Sequence, residues 1–150
     1  MVPKMKKISL TLLLLIFLTA CSDNKMSLSC GDTEISDLVL EISTEELKNQ
    51  LFRVFLYQRL GRFSGFSNTM SYAEYLSTED NKMKTLIVKQ TEETVSNVNL
   101  TAIRLQEKNT TTGMVSCAAA LSVNGGENAN ITYTAQMTSE DELYVEVSGL

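Results

Sequence analysis

Three stretches toward the C-terminal end alternate apolar and polar side chains at every second position, and this period most restricts how the chain can fold. Val115, Cys117, Ala119, Leu121 and Val123 alternate with Ser116, Ala118, Ala120 and Ser122. Ile131, Tyr133, Ala135 and Met137 alternate with Thr132, Thr134 and Gln136, and Leu143, Val145 and Val147 with Tyr144, Glu146 and Ser148. Successive side chains of a strand point to opposite faces, so each stretch reads as a half-buried strand. The loop 124–130, with Gly125-Gly126, and the turn at Ser139-Glu140-Asp141-Glu142 separate them. Upstream, Val98, Leu100 and Ala102 followed by Ile103 and Leu105 predict a long strand with a change of phase, as a β-bulge produces. A turn at Asn109–Gly113 closes it. Strands so spaced form an antiparallel meander of three or four strands with one apolar and one polar face.

The apolar face needs a cover, and the preceding residues supply helices. From Ile35 to Ile42 the spacing fits a helix or a strand; helix is preferred because an amphipathic segment follows. That segment begins with Ser43 and Glu46 in capping-box spacing. It carries Leu47, Leu51, Val54 and Phe55 on one predicted buried face, widened by Phe52, Leu56 and Tyr57, and it ends at Gly61 after Arg59. The loop 61–70, rich in Gly and Ser, holds Phe63 and Phe66, which either plug the core or stand out as anchors for a partner. Ser71 and Glu74 form a second capping box ahead of a short helix with Tyr72, Tyr75 and Leu76. After Met83 the period shifts toward two, and Leu86-Ile87-Val88 suits either a strand or a helix. Helices first and hairpins after define an α+β class, with N-terminal helices packed on one face of the sheet. This order is similar in topology to cystatin-like and NTF2-like domains.

The N-terminus has a different design. Lys4, Lys6 and Lys7 precede the apolar run from Ile8 to Leu18, and Leu18-Thr19-Ala20-Cys21 follows. A bilayer core needs about 20 apolar residues, and this run stops short before polar Ser22-Asp23-Asn24-Lys25. The segment therefore has the parts of a secretory signal, and its end resembles the lipobox of bacterial lipoproteins. That resemblance implies cleavage between Ala20 and Cys21 and acylation of Cys21 as the mature N-terminus. Ser22 after the cysteine implies, by the enteric sorting pattern, an outer-membrane lipoprotein facing periplasm or surface. The organisation expected is a signal peptide at 1–20, a lipidated tether at 21–29 and one domain at 30–150, the mature part having about 130 residues.

Removing the signal changes both charge and cysteine arithmetic. The chain has 13 Lys and Arg against 18 Asp and Glu, and three of the lysines leave with the signal, so the mature part is more acidic than the whole. Phosphates require clustered Lys and Arg, so nucleic acid is not an expected partner. The expected anchor is lipid, and a multiply acylated cysteine holds stably where one chain does not. With Cys21 taken by lipid, Cys30 and Cys117 remain as an even pair in an oxidising compartment. A disulfide is the preferred reading and two buried thiols the alternative; the loop-entropy relation gives such a bridge an upper value of about 4–5 kcal/mol.

Candidate chemistry is sparse. The chain has no histidine, which rules out Ser-His-Asp and Cys-His catalysis and ordinary zinc hydrolase sites. Ser22 and Lys25 match SxxK spacing but fall in the tether. The adjacent acids Glu45-Glu46, Glu92-Glu93 and Glu140-Asp141-Glu142 point apart on a helix or strand, so they read as solvated faces rather than acid–base pairs. The loop 124–130 contributes one carboxylate, Glu127, too few for a calcium site of ordinary strength. No cofactor, metal or catalytic residue is expected. The functional expectation is a lipid-anchored, non-catalytic protein-binding module of the cell envelope. Lysozyme inhibitors among small acidic lipoproteins are an analogous class. An exclusion or immunity lipoprotein of a plasmid or phage, or an accessory subunit of an envelope complex, are the alternatives.

Overall fold

The computed structural model describes residues 27–61, 70–126 and 128–150. In chain order the elements are α1 (Thr33–Leu60), α2 (Tyr72–Leu76), α3 (Lys82–Thr94), β1 (Val98–Lys108), β2 (Val115–Val123), β3 (Ala129–Met137) and β4 (Leu143–Ser148). The strands form one antiparallel sheet in the order β1-β2-β3-β4, the meander read from the alternation. Helices and sheet together make an α+β fold.

The alternation became burial as expected. Val115, Cys117, Ala119 and Leu121 of β2 and Ile131, Tyr133 and Ala135 of β3 form the floor of the main core. Ala118 and Ala120 face the other way and are also buried, because their small side chains sit below those of neighbouring strands. The phase change in β1 is a bulge: the register shifts between Thr101 and Arg104, where Ala102 has φ 52°, and again between Leu105 and Glu107. The Asn109–Gly113 turn is held by its own side chain, Asn109 Oδ1 accepting from the amides of Thr111 and Thr112.

Two helical expectations need correction. No capping box forms at Ser43 and Glu46. Residues 35–42 and 43–60 belong to one helix, Thr33–Leu60, of 28 residues, and Ser43 lies within it, fully buried. The start lies at Asp32, whose carboxylate accepts from the Ser29 amide at 2.8 Å. The end at Gly61 is as expected: φ is 69°, and the Gly61 amide donates to the Tyr57 carbonyl. The second correction concerns the shift toward period two expected after Met83, and it decides Leu86-Ile87-Val88, left open between strand and helix, as helix. These residues lie within α3, capped by Asn81, which accepts from the Lys84 amide; the period-two pattern begins only at Val98.

The predicted buried face of α1 is displaced as well. Val54 is 46 % exposed, whereas Phe52 and Leu56 are buried. The two halves of α1 bury different sides. Ile35 and Val39 close over the sheet with Leu28 and Cys30, while Phe52 and Leu56 pack with Tyr72, Tyr75 and Ile87 from α2 and α3. At 3.6 residues per turn, the mean direction of Ile35, Val39 and Ser43 differs from that of Phe52 and Leu56 by about 120°. A helix of this length spans about 42 Å; its first half lies on the sheet and its second half carries the other two helices.

Candidate interaction surface

The chain enters the fold beside the disulfide. Cys30 and Cys117 are bonded (S–S 2.02 Å), closing a separation of 87 residues and tying the segment before α1 to the centre of β2. Tyr133, paired with Cys117 across the β2–β3 ladder, donates its hydroxyl to the Cys30 carbonyl at 2.8 Å. Order begins before Cys30: Leu28 is buried in the core, and Lys108 Nζ at the end of β1 donates to Ser27 Oγ at 2.7 Å and to the Leu28 carbonyl at 3.2 Å. Sequence reasoning placed Leu28 in the tether because a single apolar residue among serines carries no periodic signal.

The helical end is organised by polar contacts. Glu92 of α3 receives Lys48 Nζ at 2.9 Å and the Tyr72 hydroxyl at 2.9 Å, linking all three helices. Partial burial alone would raise the Glu92 pKa, but the hydrogen bonds from Lys48 and Tyr72, with the lysine charge, outweigh it and lower the value. For Tyr72, burial raises the phenol pKa and the Glu92 carboxylate raises it further. Lys84, only 7 % exposed, donates to the carbonyls of Leu76 and Thr78, both at 2.7 Å, and to Asp80 at 2.9 Å. Its ammonium thus neutralises the C-terminal end of α2, where carbonyls lack helical partners. Asn124, in the β2–β3 turn, donates from Nδ2 to the Thr94 carbonyl at 2.7 Å and so joins the sheet to the end of α3. These polar groups are spent on holding the fold.

A row of unpaired carboxylates lies on α1. Glu34, Asp37, Glu41 and Glu45 recur at intervals of three and four residues and are all exposed. None has an ion-pair partner among the described residues. They occupy the side of α1 that, one turn beyond, passes beneath α2 and α3. Sequence reading noticed only the pair Glu45-Glu46; the full row was present at i, i+3, i+7, i+11, but identifying it requires one continuous helix from Thr33. The turn containing Glu140, Asp141 and Glu142 follows Met137, which lines a depression with Asp32, Glu34 and Leu143 at the start of α1.

Of the residues singled out from sequence, Cys30 and Cys117 are brought together. Ala20, Cys21, Phe63, Phe66 and Glu127 lie outside the described residues, as does the apolar run before Cys21. Among the described residues no helix is long and apolar enough to cross a membrane, and no group of three or more His, Cys, Asp or Glu is placed to hold a metal ion. No family model, no curated protein and no solved structure matches this chain. The α+β class therefore rests on the fold itself.

Proposed function

We propose that this protein is a lipid-anchored, non-catalytic binding module of the bacterial envelope that docks on a cationic protein through the acidic side of α1. The observation carrying this reading is the row Glu34, Asp37, Glu41 and Glu45, four exposed carboxylates with no ion-pair partner among the described residues. Like charges along one helix face destabilise the free helix, and a positively charged partner would relieve that repulsion and steer association. The lipobox-like Leu18–Cys21 supports anchoring through Cys21, and the Cys30–Cys117 bond suits an oxidising compartment.

The test is recovery of crosslinked partners from intact envelopes by the full-length protein, compared with a variant carrying Glu34→Gln, Asp37→Asn, Glu41→Gln and Glu45→Gln. A basic partner recovered by the native protein and lost by the variant supports the reading, and a basic hydrolase would make it an inhibitor. Equal recovery by both proteins refutes the α1 surface. A conjugation or secretion component would redirect the assignment to exclusion, and an assembly machine to an accessory subunit.

A further inference from the structure

Asn124 and Gly125 form the only Asn-Gly pair in the chain. They occupy the exposed turn after β2, where φ is 50° at Asn124 and 69° at Gly125 and the Gly126 amide donates to the Val123 carbonyl at 2.9 Å. A turn with positive φ at both central residues selects this pair. Glycine takes the second position because it has no Cβ to strain there, and it leaves its own amide unshielded. A Cβ built on Gly125 would meet nothing within 4 Å. The Gly125 amide also donates to no group among the described residues. A bare backbone nitrogen therefore directly follows a residue with a primary carboxamide.

That carboxamide holds the sheet to the helices. Asn124 Nδ2 donates to the Thr94 carbonyl at 2.7 Å and to the Glu93 carbonyl at 3.3 Å, both at the C-terminal end of α3. Its Oδ1 accepts from the Ser96 hydroxyl at 3.4 Å. The end of a helix carries partial negative charge and carbonyls without helical partners, so an N–H donor is favoured there and a carboxylate is repelled. The contact between turn and helix thus depends on one amide nitrogen.

We propose that Asn124 is a site of spontaneous deamidation, and that the reaction permanently releases the β2–β3 turn from the end of α3. The Gly125 nitrogen gives its proton to hydroxide and attacks Cγ of Asn124. The new bond joins that nitrogen to Cγ, the bond from Cγ to Nδ2 breaks, and Nδ2 takes a proton from water and leaves as ammonia. Water then opens the cyclic succinimide at either carbonyl, giving aspartate or isoaspartate. Overall, water is consumed and ammonia released, with no oxidant or cofactor. While both carbonyls hold Nδ2, the carboxamide is kept from turning toward Gly125, so attack proceeds from a local opening of this turn. Before the reaction such an opening reverses. Afterwards the carboxylate has no proton to offer the Glu93 and Thr94 carbonyls and is repelled by them, so the turn stays released.

The test ages the purified full-length protein at neutral and at alkaline pH and maps its asparagines by peptide mass spectrometry. Conversion at Asn124 is expected to run ahead of every other described asparagine and to quicken with pH, since the attacking amide must lose its proton. In the converted fraction the amides of residues 91–96 should exchange with solvent about tenfold faster, the equivalent of about 1.4 kcal/mol. Asn124→Asp, made directly, should show the same acceleration. Asn124→Gly keeps the positive φ without a carboxylate and should show a smaller one. Conversion at Asn124 no faster than at Asn97 or Asn109 overturns the modification site. Unchanged exchange at the end of α3 in the converted protein overturns the release, and equal exchange in Asn124→Asp and Asn124→Gly overturns the repulsion that makes it permanent.

Discussion

The Tyr133 hydroxyl donates to the Cys30 carbonyl at 2.8 Å, deep in the main core and immediately beside the disulfide. The bond fastens the same segment that Cys117 fastens, by a different atom. Burial raises the Tyr133 pKa above its ordinary value of 10.0, which keeps the donor proton in place through neutral and mildly alkaline pH. Tyr133→Phe leaves the carbonyl buried without a donor, and the expected loss is about 1–2 kcal/mol by denaturant unfolding.

Reduction of Cys30–Cys117 should cost more. The bridge closes 87 residues of chain, and bridges of this kind contribute about 2–5 kcal/mol. Unfolding midpoints measured with and without reductant give the difference. The same comparison in Tyr133→Phe should show a smaller effect of reductant, since the two contacts hold one segment and are not independent.

Ser43 invites the opposite prediction. Its hydroxyl is buried without a hydrogen-bond partner among the described residues, whereas the comparably buried Thr91 donates to the Ile87 carbonyl at 2.9 Å. Ser43→Ala removes an unpaired polar group and improves helix propensity at once. A gain of about 1 kcal/mol is expected by thermal or denaturant unfolding.

Lys84 is held by two carbonyls and a carboxylate at the end of α2. Lys84→Met keeps much of the buried stem but leaves the Leu76 and Thr78 carbonyls unpaired. The expected cost is about 2 kcal/mol, from the loss of charge-assisted hydrogen bonds. Hydrogen exchange should show the loss first in the 72–94 region, which local opening would release before the sheet.

Acid should loosen the helical end through Glu92. Its carboxyl has a pKa below its ordinary 4.5 in the folded protein, because the bonds from Lys48 and Tyr72 outweigh burial. A lowered folded pKa stabilises above the unfolded value and loses that contribution as pH falls from about 4.5 through the folded value. Glu92→Gln should therefore be less stable than the native protein at neutral pH and approach it in acid. The measurement is the unfolding midpoint of both proteins across that interval.

How much of this was legible follows from the range over which each signal acts. The strands and their faces were readable because period two is local, and Ile131, Tyr133 and Ala135 need only their nearest neighbours to declare a side. The β1 bulge showed as a break in phase, and the Ser71–Glu74 box as a four-residue pattern that forms as read. The Ser43–Glu46 pattern is of the same kind and misled, since nothing local says whether a helix starts or continues through a serine. Phe63 and Phe66, offered as partner anchors, fall outside the described residues.

By itself, then, the sequence determined the α+β class, the meander and the acidity of the domain, and it pointed to Cys30 and Cys117 as the bonded pair. Tertiary structure decided which sides of α1 are buried. Its first half faces the sheet, its second half faces α2 and α3, and the apolar directions differ by about 120°. Averaged over the helix, those directions partly cancel, so no single stripe could be read from spacing. The same rotation leaves the four carboxylates Glu34 to Glu45 exposed along the side that Phe52 and Leu56 bury farther on. Burial is a property of which neighbour arrives at a surface, and that neighbour is distant in sequence.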